Sequence, residues 1–398
     1  MTSRVDGERP KFRTNAPPIG HSPPLDGVRG ISVLLILLVH ASYYNFESLA
    51  VMVDFFFAVS GFLITTLLYE QDAKKGSIDL KEFYWRRVFR LLPAMFAVVL
   101  GSVVLFLIFG DTKLRRDVLN DALAALTYMY HVVHPVASEI ATSSGPPERP
   151  LLHLWSLSVE EHFYFFGVFL VIGTIRFRAI RTVTLALGAA WALIAIARAT
   201  GHVGPRFAWY QRPDSLMIGV IVANIHAMAP RELPPKAQRL LTPLAYVATA
   251  VIALTIAVGI QPLARRYYIA VNPLNGAKLT DGLYWGEFGF SVCNLAFGIA
   301  LFAIVRVPGL RLTKILSWKP FQALGIRSYS LYLIHVPLAV LLIHIFGESQ
   351  PALAGLLYLV LLPIGTELLH KQIEQRYLRK GRAWLSSRNV TSTPAAVG

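Results

Sequence analysis

Eleven apolar segments, each close to bilayer-crossing length, dominate this chain. They lie near 26–45, 49–69, 92–110, 117–134, 154–175, 179–198, 211–229, 241–260, 285–306, 321–346 and 351–370. About 20 consecutive apolar residues span the hydrocarbon core as an α-helix. Within lipid only helices and closed barrels satisfy every backbone group. The pattern predicts an all-α polytopic membrane protein. Composition agrees, since 55% of the 398 residues are hydrophobic and 15% are charged. A soluble chain this apolar has no means of covering its surface.

The net charge of +15 does not indicate a nucleic-acid binder, because the basic residues fall between apolar segments and not on one domain. That distribution is loop charge in a membrane protein. Basic groups sit in the leader (Arg4, Arg9, Lys11, Arg13), at 74–90, at 176–181, at 231–239, at 306–319 and from Lys371 to Arg388. Placing all of them in the cytoplasm requires that one segment between 92 and 175 does not cross. The candidate is 117–134, which is short, with Asn120 and Asp121 near its start and His131 and His134 near its end. A re-entrant or interfacial element buried against protein satisfies such groups. The expected scheme is about ten transmembrane helices plus one short re-entrant or interfacial segment, with both termini cytoplasmic. Residues 1–24 are polar and proline-rich and lack the apolar stretch of a cleavable signal peptide. They are expected as a disordered leader, and 378–398 as a disordered tail. The single cysteine, Cys293, lies in an apolar stretch and reads as a small core residue.

Polar residues inside the apolar segments carry the functional signal. In "LDGVRGISVLLILLVH" (25–40), Arg29 and His40 are eleven positions apart. On an α-helix they project within about 20° of each other, roughly 16 Å apart along the axis. An ionisable residue at the membrane centre costs roughly 2.5–3.5 kcal/mol on insertion scales. Alone, Arg29 reads as a snorkelling anchor, and His40 as a polar residue satisfied by a neighbouring helix. Two on one face read as the lining of a cavity.

In "VDFFFAVSGFLI" (53–64), Asp54 sits within an apolar run, while Ser60 and Gly61 read as a tight helix crossing. In "FYWRRVFRLLP" (83–93), Arg86, Arg87 and Arg90 are either positive-inside charge or a phosphate clamp. Pro93 suits an early helix position. In "HLWSLSVEEHFY" (153–164), Glu160 and Glu161 point about 100° apart, so at most one faces a given cavity squarely. His153, Trp155, Ser156 and Ser158 add to the polar density. Arg212 and Asp214 read as a local ion pair. In "SYSLYLIHVPL", Ser328, Tyr329, Ser330 and His335 are polar, and His335 ranks behind His40 as a candidate. Glu367 and Glu374 read as exposed charge. There is no P-loop, GxSxG, HExxH or CxxC. No paired spacing supports a metal.

In this order, these stretches resemble the acyltransferase-3 family of integral membrane O-acyltransferases. "LDGVRG" with His40 resembles its Arg-x10-His motif, "VDFFFAVSGFLI" its second-helix motif and "WRRVFRLLP" its arginine motif. "HLWSLSVEEHFY" and "SYSLYLIHVPL" are further matches. The likeness covers residues 25–377 and is to the stand-alone form without an SGNH-type domain. His162 stands where a glutamine is usual, and Gln375 follows Glu374 where proline is common.

The resemblance implies an acyl-CoA co-substrate, typically acetyl-CoA, taken from the cytoplasmic side, and no permanently bound cofactor. It implies a hydroxyl acceptor on a carbohydrate, glycolipid or macrolide-type metabolite, in a bacterial inner membrane. In that reading Arg29, Arg86, Arg87 and Arg90 receive the CoA phosphates. His40 is the general base, or alternatively carries a transient acyl group. Asp54, Glu160 and Glu161 orient the imidazole or bind the acceptor. A competing class is a secondary transporter or flippase that lines its path with the same Arg, His and Glu residues. Its mark would be an inverted repeat, and the sequence displays none.

Overall fold

The structure is a computed structural model that describes residues 12, 14–41, 47–133, 149–200, 213–258, 289–347 and 349–391. The expectations on Arg4, Arg9, Lys11, Arg13, His134 and Arg212 lie outside these residues. Within them the chain is helical and has no strand. The helices are α1 (Pro23–Ala41), α2 (Met52–Lys75), α3 (Leu80–Phe109), α4 (Thr112–Leu126), α5 (Tyr130–Val133), α6 (Trp155–Arg176) and α7 (Ile180–Ala199). There follow α8 (Asp214–Met228), α9 (Pro235–Val258), α10 (Phe290–Arg306), α11 (Arg311–Leu316), α12 (Lys319–Phe346) and α13 (Pro351–Leu368). A π-helical turn, Leu369–Glu374, joins α13 to α14 (Gln375–Thr391).

Among the described residues, eight helices are long and apolar enough to cross a membrane. α8 and α10 are shorter apolar helices. α4 is not among them. Asp111 caps its start by accepting from Leu114 N–H, and the chain reverses after it at Tyr128, whose φ is 57°. α2 and α12 lie at the centre of the bundle, whereas α7, α9 and α13 leave most of their apolar surface uncovered. That surface is what lipid would cover.

Local chemistry sets several helix ends. Asp79 accepts from Glu82 N–H to cap α3. Gly76, at φ 74°, ends α2 in the left-handed region that a side chain disfavours. α3 starts thirteen residues before Pro93, so the arginine motif lies on the membrane helix itself and Pro93 is interior. The expectation of an early helix position for Pro93 is thereby corrected.

Two further expectations change. Residues 378–391 are helical, not disordered. Trp384 packs against Trp85 and Phe89, with ring centroids 5.0 and 5.7 Å away. A Cβ on Gly381 would lie 2.6 Å from the Phe89 ring. The polar composition of α14 hid this docking face. Residues 14–22 have no helix but are tied to the ends of α2 and α8. Thr14 Oγ1 donates to the Ala227 carbonyl, Ile19 N–H donates to Glu70, and Phe12 stacks on Tyr69 at 4.4 Å.

Candidate active site

Glycines set α1 against α12. A Cβ on Gly30 would fall 2.0 Å from the Phe321 carbonyl oxygen and one on Gly325 would fall 1.8 Å from that of Asp26, while one on Gly27 would fall 1.7 Å from the carbonyl oxygen of Leu316, at the end of α11. Only glycine permits that approach, and it brings the facing side chains together. Arg29 Nη2 donates to Ser328 Oγ at 2.9 Å. Further along both helices, His335 Nε2 lies 3.3 Å from His40 Nδ1. Arg29 and His40 therefore share the α1 face that meets α12, as their spacing predicts. The two helices run parallel, since both pairings ascend in sequence.

The histidine end of this face holds three imidazoles. His40 and His335 have ring centroids 5.0 Å apart, and His153 stands edge-on to His335 at 4.9 Å. Hydrogen-bond partners assign the tautomers. His335 Nδ1 is 2.6 Å from the Tyr332 carbonyl oxygen, so it carries the proton and donates there. Its Nε2 is then an acceptor for His40 Nδ1–H, which also reaches the Ile36 carbonyl oxygen at 3.1 Å. The basic nitrogen of His40 is consequently Nε2. His153 Nε2 donates to the Leu333 carbonyl oxygen at 3.2 Å. Its Nδ1 is buried without a hydrogen-bond partner among the described residues. Tyr332 OH donates to the His153 carbonyl oxygen at 2.8 Å and lies 2.7 Å from Ser156 Oγ.

The arginine end is a charge cluster. Glu160 Oε1 accepts from Ser60 Oγ and Tyr164 OH. Glu161 accepts from Arg87 Nη2 at 2.6 Å and Nε at 3.5 Å, and the Arg87 guanidinium lies over the Tyr164 ring. Arg29 is within electrostatic reach of Arg90, Asp26, Glu160 and Tyr164. Neither Arg29 nor Arg90 has a carboxylate at ion-pair distance among the described residues. α6 connects the two ends. His153 just precedes it beside His335, and Glu160 lies one to two turns along it near Arg29. α6 therefore runs antiparallel to α1.

The candidates separate in a way the sequence does not display. Glu160 and Glu161 diverge as their 100° offset requires, one toward α2 and one toward α3. Arg86 is exposed and paired with Glu82, away from Glu161. Arg87 is paired with Glu161, and Arg90 is solvent-exposed. Asp54 is fully buried and accepts from Ser215 Oγ. It closes a chain of polar groups in which Asn294 donates to Ser215 and Asp214, and Arg198 pairs with Asp214 at 2.8 Å. Among the described residues Asp214 has Arg198 as its ion partner, while Arg212, its expected partner, lies outside them. Ser60, read as packing, bonds Glu160. Gly61 does pack, since a Cβ there would lie 2.6 Å from the Leu216 carbonyl oxygen. Glu367 pairs with Arg327 and Lys371 near the surface. Glu374, read as exposed, is 5% exposed and accepts from Ser330 Oγ at 2.7 Å, with His370 Nδ1 at 2.9 Å.

His335 is the residue most undervalued from sequence. Ser328, Tyr332 and His335 fall at i, i+4 and i+7, one helix face. That face is the one α1 meets, and its spacing was the available signal.

The family model described as an acyltransferase domain matches residues 24–366. The YrhL protein of Bacillus subtilis is 30% identical over 333 residues, 80% of this chain and 49% of that protein. The peptidoglycan O-acetyltransferase OatA of Listeria monocytogenes is 28% identical over 83% of this chain and 51% of its own length. The O-acetyltransferase OatA of Staphylococcus aureus is 29% identical over 90% and 57%. The chain spans about half the length of these curated relatives. No solved structure matches it. With the motif residues gathered on α1, α3, α6 and α12 and the family model covering all four helices, the chain belongs to the acyltransferase-3 family.

Proposed function

We propose that this protein is a membrane-embedded O-acetyltransferase that moves an acetyl group from acetyl-CoA to a carbohydrate hydroxyl of the cell envelope. The observation that carries this reading is the shared face of α1. It holds Arg29 against Ser328 at one end and His40 against His335, itself packed on His153, at the other. Their axial separation of roughly 16 Å suits a donor with charged phosphates and a long arm ending in a thioester. The names of the Listeria and Staphylococcus relatives support acetyl transfer, and the Listeria name supports a peptidoglycan-type acceptor. The secondary transporter or flippase reading draws no support from this family.

Arg29 and Arg90 attract the CoA phosphates, because neither has a carboxylate at ion-pair distance among the described residues. Arg87 is held by Glu161 and shapes the cluster. In the reaction, His40 Nε2 takes the proton of the acceptor hydroxyl. The oxygen attacks the thioester carbonyl, the C–S bond breaks, and the CoA sulfur leaves and recovers the proton from His40. As His40 becomes cationic, its Nδ1–H strengthens the bonds to Ile36 and His335.

The same reading places about ten crossings in a bacterial inner membrane, with both termini cytoplasmic. Eight long helices plus α8 and α10 supply the crossings, and α4–α5 enters and returns. The antiparallel run of α6 against α1 supports this count, because a crossing α4 would reverse it. Reporter fusions at 140 and 178 should lie on opposite sides.

Replacing His40 with alanine tests the chemistry. Removing a general base typically lowers the rate by roughly 10²–10⁴-fold. Transfer of label from acetyl-CoA to membrane carbohydrate at a near wild-type rate, by a normally inserted variant, would discard the assignment.

A further inference from the structure

We infer that the seam between α3 and α14 is a binding site for an anionic glycerophospholipid of the surrounding bilayer. A groove of about 600 Å³ opens there, lined by Leu92, Pro93, Phe96 and Ala97 of α3 and by Ile373, Arg376 and Lys380 of the facing segment. Its two ends differ chemically. The α3 wall is hydrocarbon and aromatic, and Phe96 is 43% exposed. Opposite it, Arg376 and Lys380 are exposed, and neither has an ion-pair partner among the described residues. Lys380 Nζ stands 5.1 Å over the Tyr377 ring, which directs it along the groove wall.

The depth of the groove argues for a lipid. Trp85, Phe89 and Trp384 cluster where α14 crosses the start of α3, with Trp85 38% exposed. Tryptophan and tyrosine concentrate at the headgroup level of a bilayer. From Trp85, the apolar lining begins seven residues further along α3, roughly 10 Å into the hydrocarbon on a helical rise. On the other side, the chain runs the opposite way, so Ile373 is deeper and Arg376 and Lys380 are nearer the aromatic belt. From Trp384, Lys380 is about 6 Å and Arg376 about 12 Å deeper on the same rise, so the groove sets cations on one wall against hydrocarbon on the other where headgroups give way to acyl chains. A phosphate with acyl chains hanging from it matches both ends at once.

The π-helical turn produces this geometry. It widens the chain at Leu369–Glu374, turning Glu374 inward to Ser330 while Ile373 and Arg376 face the groove. Such turns disturb a regular helix and recur at functional positions. The inference rests on membrane embedding and not on acetyl transfer, so the two succeed or fail separately.

The test uses the full chain in phosphatidylcholine vesicles doped with dibrominated phosphatidylglycerol, which quenches nearby tryptophans. Trp85 and Trp384 flank the groove and report its occupancy. Brominated phosphatidylglycerol should quench more than brominated phosphatidylcholine at equal mole fraction. Replacing Arg376 with glutamine, and separately Lys380, should each lower the preference by about fivefold, the effect of one cation near a membrane surface. Ala97→Phe, which fills the apolar end and leaves the cations, should lower quenching by both lipids. Equal quenching by the two lipids in the unmodified protein overturns the proposal, as does an undiminished preference in the Arg376→Gln, Lys380→Gln double variant. Displacement of brominated phosphatidylglycerol by an equimolar amount of palmitoyl-CoA also overturns it, since the groove would then belong to the donor.

Discussion

Replacing His335 with leucine removes the Nε2 acceptor that faces His40 Nδ1–H at 3.3 Å, while keeping an apolar side chain of similar bulk. His40 retains the Ile36 carbonyl at 3.1 Å, so its tautomer survives in the resting protein. The loss falls in the transition state, when the imidazole is cationic and its Nδ1–H has one acceptor in place of two. A hydrogen bond to a charged group contributes about 1.5–3 kcal/mol. At 1.36 kcal/mol per tenfold, kcat should fall by roughly 10- to 150-fold. The KM for acetyl-CoA should hold, because Arg29 and Arg90 are about three turns away. His335→Gln returns an acceptor oxygen close to the Nε2 position and should recover most of the rate. The assay is transfer of labelled acetyl from acetyl-CoA to carbohydrate in membranes normalised for protein. If His335→Leu has an unchanged kcat, or glutamine rescues no better than leucine, the orienting contact is not part of the reaction.

Other consequences are structural. Gly27→Ala should abolish stable insertion, because its Cβ would sit 1.7 Å from a backbone oxygen, beyond the ~1–3 kcal/mol of ordinary overpacking. Gly101→Ala, with open space at the same atom, should gain up to ~1 kcal/mol; thermal unfolding in detergent compares the two. His131 is 4% exposed, and neither ring nitrogen has a hydrogen-bond partner among the described residues, although its ring packs edge-on to His162 at 4.7 Å. His131→Phe should raise stability by about 1–3 kcal/mol, the cost of an unmet buried polar group, and a fall in the unfolding midpoint would contradict that. Arg87→Ala leaves Glu161 largely buried without its cation and should cost about 3–5 kcal/mol. The Arg87→Ala, Glu161→Gln double variant should regain most of it in the same melts.

Helix content, approximate helix positions and the helical face shared by Arg29 and His40 all follow from local pattern. A run of about 20 apolar residues has one stable form in lipid, and an eleven-residue interval has one angular meaning on a helix. The divergence of Glu160 and Glu161 follows from the same rule. What chain pattern cannot express is which face meets which. His335 and His40 are 295 residues apart and meet only because Gly30 and Gly325 allow α1 and α12 to touch backbone to backbone. Asp54 and Arg198 join a buried network through residues of α8 and α10. Glu374 turns inward through a π-helical widening that no composition signals. Charge in a membrane protein is read from sequence as a residue type, but whether it is neutralised depends on a partner across the bundle. That is why Arg86, Arg87 and Arg90 look alike in the chain, while the tertiary structure pairs the first two with carboxylates and leaves Arg90 exposed.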